Sequence, residues 1–411
     1  MAVALHRAAG VRARAGCLTP SSQTAANAAA DSSLRFARID QVRGFAALIV
    51  VLCHLSVSAY VGAPNAGEPF LPWLGFILGF GYLGVALFFV VSGFCIHWPD
   101  ARARAEGRLA PPDWGSFFRR RFWRLYPPYA LSLAGAVLLL LLATGTWPAS
   151  FGSLLAQLAL VHTLHQSTFL GVNPPSWTLA VEAQLYLAYP VVFVLMRRRG
   201  PWRTLATILA IALAYRVLIT VLPLPDWFAG PSWELFLGRW FEWTVGALLA
   251  EWAAGNVRLP RVLGSWWLVA PLVPLTIYVG EYHNWHYGIW ILREPAYGAA
   301  FGLLLLALLQ LARPVRPSRI GLWLADVGVW SYSLYLVHRP IQLALEPLAR
   351  WIAASPFVIA HGIPTSLMIF VASTPLVLKA GRVFYRWCEE PFLVKARAIG
   401  RAPRATDARA A

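Results

Sequence analysis

Apolar residues run down this chain in blocks close to 20 residues long, the length of helix that crosses a hydrocarbon core about 30 Å thick. The blocks cover approximately 42–61, 74–96, 122–143, 177–196, 204–223, 233–252, 262–280, 297–312, 320–338 and 363–385. The pattern predicts an all-α integral membrane protein with about ten transmembrane helices. A further apolar stretch, 151–164, is only 14 residues long. That length suits an interfacial or re-entrant segment better than a crossing.

The basic residues supply an independent check, because Lys and Arg concentrate in the cytoplasmic loops of membrane proteins. With the N-terminus inside, 26 of the 35 basic residues fall in inward segments and only Arg293, Arg339 and Arg350 in outward ones. An eleventh crossing at 151–164 would move the Arg197–Arg199 cluster and everything after it outward, so both termini are expected to be cytoplasmic. Residues 1–38, rich in Ala, Ser and Arg, have no continuous apolar stretch and read as a disordered cytoplasmic tail rather than a cleaved signal peptide. The membrane domain is expected over 39–392, followed by a basic cytoplasmic tail at 393–411.

Composition narrows the function. The chain is 58% hydrophobic and 13% charged, against about 25% charged residues in soluble domains, which excludes an ordinary water-soluble enzyme. The net charge of +17 comes almost entirely from arginine, since Lys379 and Lys395 are the lysines. No soluble segment is long enough to carry a nucleic-acid face, so no nucleic-acid partner is expected. The four cysteines, Cys17, Cys53, Cys95 and Cys388, lack metal-type spacing, and no HExxH motif is present, so no metal site is expected. Chemistry must then occur among the helices.

Charged and polar side chains inside a membrane are costly, and each is a candidate functional group. In the first span Arg43 and His54 lie 11 positions apart. At about 100° and 1.5 Å per residue they share a face and differ by about 16 Å in height. The second span contains Gly79-Phe80-Gly81-Tyr82-Leu83-Gly84. This matches the dinucleotide fingerprint in letters only, because no βαβ unit surrounds it, and helix packing is the better account. Downstream, Ser92-Gly93 places a polar, backbone-exposing pair near the inner face. Arg121 and Arg124, three apart at the inner end of the third span, could bind phosphate bidentately. Glu182 lies about one and a half turns inside the fourth span and needs a partner. Arg239 and Glu242, three apart, could neutralise each other. The ninth span carries Tyr332, Tyr335 and His338 at three-residue steps.

Taken together, these blocks resemble the acyltransferase family 3 of integral membrane O-acyltransferases, which includes O-antigen and exopolysaccharide acetylases and macrolide acylases. The resemblance runs from about Ile39 to Phe392. It rests on Asp40 to His54 with its R-x10-H spacing, Gly84 to Phe94, and Arg121-x-x-Arg124 followed by Pro127 and Tyr129. It continues through Trp177 to Glu182 with Tyr186, Ser331 to His338 with Pro340, and Glu390-Pro391-Phe392. Thr178 stands where serine is common in the family, and Leu185 where an aromatic is common. The family's frequent extra extracytoplasmic domain is not expected, which leaves acceptor recognition to the loops.

The resemblance implies a membrane acyltransferase that moves an acyl group, usually acetyl, from cytoplasmic acyl-CoA to a hydroxyl of a sugar-containing acceptor, in the cytoplasmic (inner) membrane of a bacterium. Acyl-CoA is then a co-substrate and no bound cofactor is expected. The implied partners are acyl-CoA, a carbohydrate or glycoside acceptor and the lipid bilayer. His54 is expected to be essential, with Glu182, Tyr332 and Tyr335 as further catalytic candidates. Arg43, Arg121, Arg124 and Ser92 are the acyl-CoA-binding candidates, and Trp177, Ser333 and His338 supporting residues. His54 would deprotonate the acceptor, Tyr332 or Tyr335 would stabilise the oxyanion, and Glu182 would orient His54 or the acceptor. A proton-coupled transporter or flippase of a lipid-linked or acylated glycan is the competing class, since buried Arg, His and Glu suit it as well.

Overall fold

A computed structural model describes residues 36–55, 78–282, 290–311, 318–357 and 365–399. Residues 1–35 and 400–411 of the expected tails lie outside the described residues. What is described is helical, with no strand among it. The principal helices are α1 (36–55), α2 (Gly84–Ala105), α3 (Trp114–Thr144), α4 (Phe151–Leu158), α5 (Trp177–Arg199), α6 (Pro201–Val221) and α7 (Phe236–Ala253). They continue with α8 (Trp266–Tyr282), α9 (Trp290–Gln310), α10 (Arg319–Val329), α11 (Ser331–Ala353), α12 (Thr365–Phe384) and α13 (Glu390–Ala398).

Local sequence sets the boundaries. Asp113 caps α3 by accepting from the Ser116 amide at 3.2 Å, satisfying one of the donors a helix start leaves open. At the other end Gly145, with φ +69°, supplies the left-handed residue that closes the helix. Gly200 stops α5 and Pro201 starts α6 at the next residue, the glycine-then-proline order that ends one helix and begins another.

Among the described residues five helices are long and apolar enough to cross a membrane: Phe80–Ala105, Trp114–Thr144, Pro174–Arg199, Pro201–Val221 and Ile291–Gln310. The chain is an integral membrane protein. The expected spans at 42–61, 233–252, 262–280 and 363–385 correspond to α1, α7, α8 and α12, which are helical but more polar or shorter; 56–61 lies outside the described residues. The case of α7 has a clear cause. Arg239, Glu242 and Glu251 lower its hydropathy, yet all three are buried in protein, so their cost is met by partners rather than by lipid.

The expected span 320–338 is not one straight helix. It breaks between Val329 and Ser331, where α10 and the first 22 residues of α11, Ser331–Ile352, meet at 75°. Trp330, at the joint, leaves the helical region with φ −107° and ψ 16°. Arg339 and Arg350, assigned above to an outward loop, are therefore on α11. The tail boundary at 392 likewise falls inside α13, which returns to α3: Phe392 stacks on Trp123 with ring centroids 6.0 Å apart, and Lys395 Nζ sits 3.3 Å from the centre of the same ring. Residues 151–164 form the eight-residue α4 and the turn His162–Leu164, both too short to cross a bilayer. Within this segment burial pushes the His162 imidazole down to about 4.

The centre of the molecule is the crossing of α2 and α7, which share an extensive interface. Their backbones touch at two glycines. A methyl group on Gly93 would fall 1.8 Å from the Trp243 carbonyl oxygen, and one on Gly246 would fall 1.9 Å from that of Val90. Gly81 and Gly84, the letters of the false dinucleotide fingerprint, do the same against α1, where added methyls would meet the Ile49 and Ala46 carbonyls at 2.1 and 2.7 Å. These glycines pack helices together, as small residues do in membrane bundles.

Gly246→Ala is expected to force α2 and α7 apart and cost about 1–3 kcal/mol, the range for an overpacked core. Thermal unfolding of the purified protein in detergent checks this; a midpoint equal to the wild type would contradict the backbone contact.

Candidate active site

Helices α1, α2, α3, α5 and α11 enclose a cavity with about 890 Å³ of empty space, part of it open to the exterior. Arg43, Ser92, Arg121, Arg124, Glu182, Tyr332 and Tyr335 all line it, so seven of the expected site residues meet here. Among the described residues only Arg43 of the three arginines is ion-paired, with Asp40 at 3.8 Å. The Arg121 guanidinium lies over the Phe117 and Tyr186 rings at 5.5 and 5.9 Å, and its Nε is buried with no hydrogen-bond partner. A buried guanidinium nitrogen without an acceptor is costly, and an incoming anion would supply one.

Glu182 sits opposite. Its Oε1 accepts from the Ser92 hydroxyl at 3.0 Å and from the Tyr186 hydroxyl at 2.5 Å, and the Trp243 indole donates to Ser92 Oγ at 3.3 Å. The partners of Glu182 are therefore Ser92 and Tyr186, and no bond to His54 is seen. Tyr332 donates its hydroxyl proton to the Leu125 carbonyl at 2.7 Å. Tyr335 donates to the Pro175 carbonyl and accepts from Thr178, both at 2.8 Å. Ser333 lies away from the cavity, fully buried, with its amide and hydroxyl both donating to Glu389 Oε2 at 3.1 and 2.5 Å.

His54 opens into a second cavity. That chamber is lined by His54, Tyr82, Trp177, Glu234, Arg239, Arg293, Glu294 and Tyr297, and it shares Val85 and Tyr335 with the first. The ring of His54 is fixed from two sides. Its Nδ1 is 2.9 Å from the Val50 carbonyl and 3.4 Å from Nε2 of His338, which in turn holds Nδ1 2.6 Å from the Tyr335 carbonyl. Carbonyls only accept, so both Nδ1 atoms carry protons and Nε2 of His338 is an acceptor facing the His54 Nδ1–H. In the neutral ring this arrangement leaves the lone pair of His54 on Nε2. His338, fully buried, lines neither cavity and acts through this contact.

The charged residues around the second chamber are linked in a network. Arg239 pairs with Glu234 at 2.7 Å and with Glu242 at 3.0 Å, Arg293 with Glu294 at 2.7 Å, and Arg216 with Glu294. Three arginines thus face three glutamates. The Arg239–Glu242 pairing follows from their spacing on one helix, as expected above, whereas Arg216 on α6, Glu234 before α7 and the adjacent Arg293 and Glu294 on α9 are brought together from segments that no local pattern connects. Trp177 enters this chamber with the Arg239 guanidinium 5.7 Å above its ring.

A further buried cluster lies toward the other ends of α2 and α7. His97, Asp100 and Glu251 bring candidate metal-ligand atoms within 4.8 Å of one another. These atoms are already engaged: Glu251 with His97 at 2.7 Å, Arg104 at 2.9 Å and Asn256 at 2.6 Å, and Asp100 with Arg197. The cluster ties α2, α5 and α7 together as an ion-pair network.

Comparison with known proteins gives a consistent result. A family model described as an acyltransferase domain matches residues 36–379. The acyltransferase MdmB of Streptomyces mycarofaciens is 29% identical over 329 residues, 74% of this chain and 78% of that protein. A putative peptidoglycan O-acetyltransferase, YrhL, of Bacillus subtilis is 26% identical over 75% of this chain and 49% of its own length. The O-acetyltransferase OatA of Staphylococcus aureus is 24% identical over 87% of this chain and 57% of its own. The chain therefore spans about half the length of the last two. No solved structure matches.

Removing one member of the charge network leaves buried charge without compensation. Glu294→Gln is expected to destabilise the protein by about 3–5 kcal/mol, the usual cost of breaking a buried pair. Thermal unfolding in detergent measures it; a loss below about 1 kcal/mol, the scale of an exposed pair, would mean that the network is wet and weakly coupled.

Proposed function

The chain belongs to this acyltransferase family, and on that premise we propose that it transfers an acyl group, acetyl above all, from acyl-CoA to a hydroxyl of a sugar-containing acceptor. The observation that carries the reading is the pair of adjoining cavities. One offers a cluster of arginines with a buried, unpartnered guanidinium nitrogen, and the other a histidine whose Nε2 lone pair is available. Anion capture and proton removal are the two operations that acyl transfer from CoA to a hydroxyl requires.

In this reading the CoA phosphates rest against Arg43, Arg121 and Arg124, and the thioester reaches toward His54, about 16 Å away along α1 at 1.5 Å per residue. The acceptor occupies the second chamber. Nε2 of His54 takes the proton of the acceptor hydroxyl while its oxygen bonds to the thioester carbonyl carbon. The C–S bond then breaks, and the CoA thiolate takes the proton back from His54, leaving an ester and free CoA. His338 and the Val50 carbonyl hold the Nδ1–H tautomer throughout. Tyr335, which lines both cavities, is the better placed of the two tyrosines to turn its hydroxyl from Pro175 to the developing oxyanion. Glu182, bonded to Ser92 and Tyr186, shapes the donor cavity in this scheme. An acyl-histidine intermediate uses the same nitrogen for attack, and accumulation of acylated His54 in the absence of acceptor would reveal it.

The arginine distribution supports a direction. With α1, α7, α8, α12 and the bent α10–α11 pair each counted as a crossing beside the five long apolar helices, the chain makes ten, and the arginine end of the donor cavity faces the cytoplasm. Cytoplasmic acyl-CoA then serves an acceptor on the far side of a bacterial inner membrane, a cell-surface polysaccharide being the first candidate.

The direct test is mass spectrometry of surface glycans, lipids and secreted metabolites from cells fed isotope-labelled acetate. The cells express wild type, His54→Ala or no protein, with equal membrane levels of the two proteins. A labelled ester present with wild type and absent with His54→Ala is the expected result. Translocation of a glycan with no ester formed would favour a carrier instead. Arg121→Ala is expected to raise the apparent KM for acyl-CoA by about tenfold or more, the value of a hydrogen bond to a charged group, and to leave the acceptor KM unchanged. An unaltered donor KM at normal protein levels would sink the assignment of this cavity to CoA.

A further inference from the structure

The two cavities meet at a neck formed by Val85 and Tyr335, the two residues that line both. Neither side of the neck is free to retreat. Tyr335 is only 7% exposed and its hydroxyl is tied to Pro175 and Thr178. Phe88, one turn along α2 from Val85, meets the Tyr335 ring edge-on at 6.3 Å. On the α2 side, Gly84 is pressed against α1, where a methyl group would fall 2.7 Å from the Ala46 carbonyl oxygen, and Val85 is β-branched and stiff at χ1.

The position of this neck relative to the chemistry has a consequence for the donor. The arginines line one cavity and His54 the other, so a CoA thioester serving both must lie across the neck, with sulfur on the arginine side and the carbonyl carbon presented to the His54 chamber. An acetyl group ends there. Each further methylene must either widen the neck or extend into the chamber that the acceptor needs. We infer that Val85 and Tyr335 gauge the acyl group, restricting the donor to short-chain acyl-CoA, with Val85 the side chain that sets the limit. This rests on the reading of the first cavity as the CoA site.

The test is competition binding to the full-length protein in detergent, comparing CoA with acetyl-, propionyl-, butyryl- and hexanoyl-CoA for wild type, Val85→Ala and Val85→Ile. In the wild type affinity is expected to fall beyond the shortest acyl groups by about tenfold for a methylene the neck cannot admit. Val85→Ala should move that fall to a longer chain and Val85→Ile to a shorter one, each read as the ratio to the same protein's affinity for unacylated CoA. Equal affinity of the wild type for all four thioesters, or the same chain-length profile in all three proteins, would overturn the gauge while leaving the CoA site in place. Failure of unacylated CoA to bind the wild type would instead remove the donor reading, and the gauge with it.

Discussion

The site depends on the contact between the backbones of α2 and α7 at Gly93 and Gly246. Because these helices touch without side chains between them, Trp243 is carried into the middle of the protein, where its indole reaches Ser92. Ser92 in turn donates to Glu182 on α5. The close approach therefore fixes the polar wall of the arginine-lined cavity as well as the packing. It also explains how α7 can carry three charged residues through an apolar protein: neighbouring helices surround it, so its charges meet partners rather than hydrocarbon.

On the other side of the neck, hydrogen bonds orient the His54 ring and leave one nitrogen available. Two main-chain carbonyls fix the protons of His54 and His338, and the second imidazole accepts from the first. A free histidine would divide its population between tautomers and rotamers; here the alternatives would place lone pairs against carbonyl oxygens. The preparation is local, supplied by the turn before His54 and the turn before His338, and it requires α1 and α11 to meet at this height.

Much of this was legible in the sequence because it follows from helical periodicity. The 11-residue separation of Arg43 and His54 fixes a shared face and a height, and Arg121 and Arg124 share a face at three residues apart. The packing role of Gly81 and Gly84 could be read from the lack of any surrounding strand. What escaped was contact between distant segments. Nothing near Glu182 announces that its partners are Ser92 and Tyr186 rather than His54, and nothing near Arg293 or Glu294 places them beside Arg216 and Arg239. The bend between α10 and α11 was hidden because the apolar run continues through Trp330. The ten-span expectation was harder to read for the same reason that α7 is polar: hydropathy measures what a helix is made of, whereas its surroundings decide what it must exclude.

The network of three arginines and three glutamates has a bearing on encounter. Its opposite charges cancel at close range, so the chamber beside His54 projects little long-range field from these residues, unlike a cleft lined by one sign of charge. On the proposed function, an acceptor entering this chamber is not drawn in over distances comparable to the Debye length, about 8 Å at physiological ionic strength, and its capture should vary little with salt. On the proposed function, arrival on that side is governed by diffusion and fit, while the arginine-lined side draws its ligand electrostatically, so the two adjoining cavities would obey different ionic-strength laws.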